Sequence, residues 1–355
     1  VTGDTKKTRV LIVDDSATIR HLLAEILSRD PELEIVGQAP EPHAARAMIK
    51  ALNPDVLTLD VEMPGMSGIE FLEKLMRLRP MPVVMVSTLT ERGAEVTLDA
   101  LALGAVDYFP KPTSNVAEHL NEGARELIRK VKAAANAKVR PRQDQPPTPD
   151  PTDGVPFADR LIAIGSSTGG VEALLQVLSH FPRDCPPTVI TQHMPAGFTA
   201  SFANRLDKFC APHVAEAVDG DVLHAGHVYL APGAVSHLQV SGSSTWRCRL
   251  AEGAPVNGHK PSVDKLFHSV AHAAGPKGVG VILTGMGRDG ASGLSAMRAS
   301  GADTIGQDEA TSIVYGMPRA AQELGAVARQ LPLERIGAEI MRLCRQVPTF
   351  SLQEA

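Results

Sequence analysis

Along the first third of the chain, short β-branched and aliphatic runs alternate with stretches whose apolar positions recur every three or four residues. Arg9–Val13 is an apolar run ending in Asp14-Asp15. Behind it Ile19, Leu22, Leu23, Ile26 and Leu27 form the single stripe of an amphipathic helix. Glu34–Gly37, Val56–Leu59, Val83–Val86 and Val106–Phe109 repeat the strand pattern, each followed by helical spacing, the last over Val116–Lys132. Five successive β-α units predict a parallel sheet with helices on both faces.

The same logic returns later, less regularly. Leu161–Ile164 and Thr188–Thr191 read as buried strands, with a helix carrying Val171, Leu174, Leu175 and Leu178 between them. Val228–Val240 and Trp246–Leu250 suggest an antiparallel excursion. Gly278–Leu283 is a further apolar run, flanked by helices over Val263–Ala274 and Gly290–Ser300. The second half is therefore expected to be a mostly parallel α/β domain with a β-hairpin insertion. Between the halves, Ala133–Pro156 holds six prolines in 24 residues and only Ala and Val as apolar residues. Such a stretch reads as a semi-extended linker. The expected organisation is a domain over 1–132, a linker over 133–156 and a domain over 157–355.

Composition narrows the function classes. Apolar content of 43% and charged content of 21% suit a globular protein with real cores. A net charge of −5 and scarce aromatics (4%) argue against nucleic acid as a partner. No apolar run is long enough for a membrane helix, so no direct membrane insertion is expected, and Val1–Arg9 lacks the apolar stretch of a secretory signal. The four cysteines show no C-x-x-C spacing, which points away from disulfides and zinc and toward a reducing cytoplasm.

Ligands of open α/β sheets collect at the carboxyl ends of strands. In the first half those ends carry Asp14-Asp15, Asp60, Ser87-Thr88 and Phe109-Pro-Lys111-Pro112. Three carboxylates at one rim need a compensating cation, and Mg²⁺ suits oxygen ligands. Lys111 adds a point charge for a phosphoryl group, and the Lys111-Pro112 bond is one where a cis peptide is tolerable. This set, with Asp60-Val-Glu-Met-Pro-Gly65, resembles the response-regulator receiver domain over Thr8 to about Lys132. The resemblance implies a flavodoxin-like fold and Asp60 as phosphoacceptor. It further implies a metal held by Asp14, Asp15, Asp60 and the Glu62 backbone carbonyl, and Ser87, Tyr108 and Lys111 as the groups that respond to phosphorylation.

In the second half, Gly165-Ser166-Ser167-Thr168-Gly169 follows a strand and opens a helix, fitting the G-x-S-x-G turn that exposes a nucleophilic serine. Gly-rich βα turns also cradle phosphates, but a dinucleotide site expects G-x-G-x-x-G and an acid at the next strand end. Here that strand ends Thr191-Gln192-His193. His193 suits a general base, with Asp264, Asp289 and Asp303 as candidate orienting acids. Asp289, in the glycine-rich loop after Gly278–Leu283, is preferred, because Asp264 falls in a first helical turn where an acid has a capping role. The order Ser…His…Asp differs from that of α/β-hydrolases.

With the fused receiver, this half resembles the catalytic domain of chemotaxis protein-glutamate methylesterases. The matching runs are Ile164–Gly170, Gln192–Pro195, Asn257–Asp264 and Leu283–Gly290. The resemblance implies a Rossmann-like, doubly wound fold with Ser167 as nucleophile, His193 as base, Asp289 as its orienter, and Thr168 and Met286 beside the oxyanion. Ser166 stands where many members have alanine, so two serines compete for the assignment, and the elbow geometry favours Ser167. The implied activity is hydrolysis of glutamate γ-methyl esters on chemoreceptor cytoplasmic domains, with glutamine deamidation second, gated by phosphorylation of Asp60. Partners would be the receptors and a chemotaxis histidine kinase. No cofactor is expected in the catalytic domain, and nothing demands more than a monomer. A phosphorylation-controlled docking module and a transcription factor are the competing classes, the latter lacking any recognisable helix-turn-helix.

Overall fold

The computed structural model describes residues 6–88, 90–111, 116–137 and 156–345. Two compact units part between residues 144 and 145. In the first, β1 (Thr8–Val13), α1 (Ala17–Leu27), β2 (Leu33–Ala39), α2 (Pro42–Leu52), β3 (Val56–Asp60), α3 (Gly68–Leu78), β4 (Val83–Ser87), α4 (Glu91–Ala102), β5 (Asp107–Pro110) and α5 (Val116–Ala135) alternate in sequence. All strands are parallel, in the order β2-β1-β3-β4-β5. Both β3 and β4 are buried along their whole length, as apolar runs covered on two faces must be. The strand order reverses between β1 and β3, so the loops leaving them diverge and open a crevice at their carboxyl ends. The helix α5 continues to Ala135, past the expected start of the linker at Ala133. Residues 138–155 of that linker, and the Lys111-Pro112 bond, lie outside the described residues.

The second unit contains β6 (Leu161–Ser166), α6 (Gly170–Leu178), β7 (Thr188–Gln192), α7 (Phe198–Phe209), β8 (His213–Glu216), β9 (His227–Leu230), β10 (His237–Ser241) and β11 (Arg247–Ala251). It continues through α8 (Val263–Ala274), β12 (Gly278–Ile282), α9 (Ala291–Ala299), β13 (Asp303–Gln307), α10 (Met317–Glu323), β14 (Arg329–Leu331) and α11 (Leu333–Cys344). Seven parallel strands lie in the order β14-β13-β12-β6-β7-β9-β8, and β10-β11 form a separate antiparallel pair. The strand order reverses at β6: β7 and β9 build outward on one side, β12 and β13 on the other. That places a switch-point crevice over β6 and β12. Val228–Val240 divides where the sequence suggested one excursion. Its first part, β9, joins the main sheet beside β7, and the hairpin begins at His237.

A core of Leu266, Phe267 and Val270 from α8, Leu294 and Met297 from α9, and Leu161, Ala163 and Ile282 from the sheet fastens α8 and α9 to the strands that carry the crevice. The approach is close. A Cβ on Gly165 would lie 2.1 Å from Val263 Cγ1, so glycine there lets the start of α8 reach the end of β6. The four cysteines are free, and burial pushes each thiol up to about 12. Among the described residues no helix is long and apolar enough to cross a membrane.

Candidate active site

The turn after β6 separates the two adjacent serines. Ser166 is fully buried, and its hydroxyl donates to Gln192 Oε1 at 2.6 Å. Ser167 is half-buried, with its backbone N–H donating to the Thr284 carbonyl beyond β12 at 3.1 Å. Gly169 then takes φ 78° and starts α6 without any side-chain cap, leaving first-turn amides for other acceptors. Gly285 faces the turn closely: a Cβ there would sit 2.8 Å from that of Ser167. Gln192 fastens the neighbouring strand ends, its Nε2 donating to the carbonyls of Ser167 and His193 at 2.9 and 3.1 Å. Thr168 is buried beside Ser167, its carbonyl accepting from Thr284 Oγ1, and Met286 lies half-buried in the loop after β12.

Across the crevice, His193 Nε2 meets Asp289 Oδ2 at 2.9 Å, with the two side chains 7% and 0% exposed. The Nδ1 atom is also buried and has no hydrogen-bond partner among the described residues. Burial alone would raise the Asp289 carboxyl. Hydrogen bonds from His193, Asn257 and the Val263 N–H outweigh it and hold the group well below the usual carboxylate range. Of the other two candidate acids, Asp303 starts β13 at the opposite end of the sheet, paired with Arg160 and Arg329. Asp264 lies in the first turn of α8, accepting from the Gly293 N–H and Asn257 Nδ2.

The segment 256–264 wraps this pair. Asn257 (φ 52°) and Gly258 (φ 81°) form a two-residue turn closed by reciprocal hydrogen bonds between Val256 and His259. Positive φ at both positions is what an Asn-Gly turn supplies. One flank sends Asn257 Nδ2 to Asp289 Oδ1 at 3.1 Å; the other stacks His259 on His193, ring centroids 3.7 Å apart. After the cis Lys260-Pro261 bond, Ser262 Oγ and the Val263 N–H donate to the same carboxylate at 2.8 and 2.7 Å. Sequence reasoning gave no role to Gln192, Asn257, His259 or Ser262. The Asn-Gly pair was the one local signal of a tight turn.

The first unit has its own polar cluster. Asp14, Asp15 and Asp60 each place a carboxylate oxygen within 4.8 Å of the others. Asp14 and Asp60 are buried, and Lys111 Nζ contacts both, at 3.1 and 2.7 Å. One ammonium against two buried carboxylates, with the exposed Asp15 beside them, leaves negative charge that fits a hard, oxygen-seeking cation. Burial raises Asp60 to about 6, helped by the nearby Asp14 and opposed by Lys111. The Glu62 N–H donates to Asp60 Oδ1 at 3.2 Å. Ser87 is buried, its hydroxyl turned to the Thr88 and Gly93 carbonyls. Tyr108 is buried beneath Lys130, whose ammonium lies 4.7 Å from the ring centroid.

Comparison with known proteins agrees with this division. The model of the CheB methylesterase family matches residues 162–340, and that of the response regulator receiver domain matches 10–122. A protein-glutamate methylesterase/protein-glutamine glutaminase 1 from Caulobacter vibrioides is 62% identical over 340 residues, 95% of this chain and 98% of the relative. A protein of the same name from Rhizobium johnstonii is 58% identical over 94% of this chain and 96% of its own. The crystal structure of the Thermotoga maritima CheB methylesterase catalytic domain superposes with a TM-score of 0.51 at 36% identity, covering 52% of this chain and 99% of that one.

Proposed function

The chain belongs to the CheB methylesterase family, with a receiver domain ahead of the esterase unit, and is a protein-glutamate methylesterase/protein-glutamine glutaminase; from that premise we propose that Ser167, His193 and Asp289 carry the reaction. The carrying observation is the His193–Asp289 hydrogen bond at the rim next to the Ser167 turn. With Nε2–H committed to Asp289, Nδ1 is the nitrogen left to accept a proton. Ser167 Oγ attacks the γ-carbonyl carbon of a glutamyl methyl ester as its proton passes to His193 Nδ1. The C–OCH₃ bond of the tetrahedral intermediate breaks, and the imidazolium protonates the departing methoxide to methanol. Water then repeats the attack on the acyl-Ser167 with His193 as base, freeing a glutamate and the serine. A glutamine side chain follows the same path with ammonia leaving. Uncapped amides at the start of α6, beside Thr168, with Met286 close by, supply the setting for the oxyanion.

The substrate in this reading is a methylated chemoreceptor cytoplasmic domain. A histidine kinase supplies the phosphoryl group to Asp60, and unphosphorylated receiver restrains the esterase. Asp14, Asp15 and Asp60 would hold Mg²⁺, whose charge offsets their own and the incoming phosphoryl oxygens. Ser87, Tyr108 and Lys111 respond to that phosphorylation in this reading. The test is release of labelled methanol from a methylated receptor fragment. Ser167→Ala should lower it by at least about 10⁴-fold, while Ser166→Ala stays within about tenfold; equal losses in the two variants would overturn the assignment.

A further inference from the structure

A cleft of about 780 Å³ opens beside Asp289, between the β10–β11 hairpin, α8 and the start of α9. Its lining includes Arg249 of β11, Lys265 of α8, and Arg288, the residue just before Asp289. None of these three makes an ion pair among the described residues, and all are exposed. The single carboxylate in the lining, Asp264, is buried with both oxygens engaged, by the Gly293 N–H and Asn257 Nδ2. Three uncompensated cations converge on one cavity in a chain whose net charge is −5, so the concentration is local. Ala291 and Ser292, in the first turn of α9, complete the lining on that side, and His268 and His272 add polar edges. Asn257 belongs both to the cleft and to Asp289, so the cavity adjoins the reacting groups through one side chain.

We propose that this cleft is a subsite for acidic side chains that flank the reacting glutamyl ester on the substrate segment. The proposal rests on the esterase reading above. That reaction leaves a glutamate carboxylate on the peptide, so each turnover creates a further anion of the kind the cleft is built to take. Arg249 and Lys265 sit on different elements, β11 and α8, so each can meet a separate carboxylate. The guanidinium of Arg249 offers paired N–H donors to one of them. Long-range attraction between the cleft and an acidic segment also speeds encounter and fades with salt.

Two synthetic peptides test it, each with one glutamate γ-methyl ester, flanked by glutamates in one and by serines in the other. With the full chain, Mg²⁺ and acetyl phosphate, the acid-flanked peptide should show a KM lower by about three- to tenfold at low salt. High salt should shrink that advantage. Arg249→Glu with Lys265→Glu should erase it, leaving the serine-flanked peptide unchanged. Equal KM values in the wild type, or an advantage kept in the charge-reversed variant, would overturn the subsite. If the double variant loses both peptides, Arg249→Gln with Lys265→Gln decides by the same criterion. Methanol from neither peptide with the wild type would overturn the esterase reading itself, and the subsite with it.

Discussion

The two units set their polar side chains on the same architectural feature, the carboxyl rim of a parallel sheet where the strand order reverses, and then treat charge in opposite ways. In the first, two buried carboxylates share one ammonium, and Asp60 is driven up to about 6. In the second, one buried carboxylate receives His193, Asn257, Ser262 and the Val263 N–H, and Asp289 is driven well down. An under-compensated rim is ready to take up a cation or a charged group. An over-compensated rim keeps its charge whatever happens beside it. A fold that fixes position thus leaves the electrostatic role to the number of donors that neighbouring loops deliver.

The sharpest way to break this contrast is Asp289→Asn. Its turnover should fall by about 10⁴-fold, because an amide no longer holds the imidazole in its required tautomer. Methanol release at saturating substrate reads this directly. The substitution also tests the sign of the charge. A depressed carboxyl contributes stability that is present above about pH 4 and lost as pH falls through its folded value. Denaturation of the wild type should therefore show a steeper acid-side loss than the variant; parallel acid limbs would contradict the over-compensated picture.

Asp60→Asn is next in size. The variant should lose activation by acetyl phosphate and Mg²⁺, about 5- to 150-fold for a typical coupling, and keep the unstimulated rate. Here the sign is reversed. A raised carboxyl makes the folded state hold the extra proton, so its stabilising effect is full below about pH 4 and lost as pH rises through about 6. In metal-free buffer the wild type should lose stability relative to Asp60→Asn across that window, and equal slopes would remove the contrast between the rims.

The smallest effect expected is that of Ser262→Ala. Its hydroxyl donates to Asp289 and also caps α8 by accepting from the Lys265 N–H. Loss of that cap costs about 1 kcal/mol of stability. With His193, Asn257 and the Val263 and Asp264 N–H groups still on the carboxylate, turnover should fall no more than about tenfold. A collapse as deep as that of Asp289→Asn would mean that the donors act as one unit rather than as a reserve.

Much of the sheet was legible because a buried parallel strand is a nearly unbroken apolar run. For β1, β3, β4, β6, β7 and β12 the runs ended at or within two residues of the observed strands, and α8 matched its expected bounds. The strands that escaped notice lack such runs. β13 reads Asp-Thr-Ile-Gly-Gln, yet it lies inside the sheet because Gln307 caps the Thr284 N–H at 2.7 Å and Gly306 admits Val327. β8 and β14 are short, partly exposed edges. The misread start of the excursion, β9, has the apolar pattern of a strand, but periodicity carries no information about which strand it will pair with. The candidate residues at strand ends could be found from topology alone. Asn257, His259 and Ser262 could not, because their relation to Asp289 and His193 is made across 27 to 66 residues of chain, and only the folded turn brings it about.

The β10–β11 hairpin is threaded between the stretch that bears Ser167 and His193 and the stretch that bears Asp289, and it pairs with neither side of the main sheet. Its inner side chains, Leu238, Val240, Trp246 and Cys248, join the core beneath α8, and only the turn between its strands is free of that core. Its loop can be lengthened, shortened or recoloured with new side chains while the strands beneath keep their register, so what the protein grips and what it does to it are free to change on separate schedules.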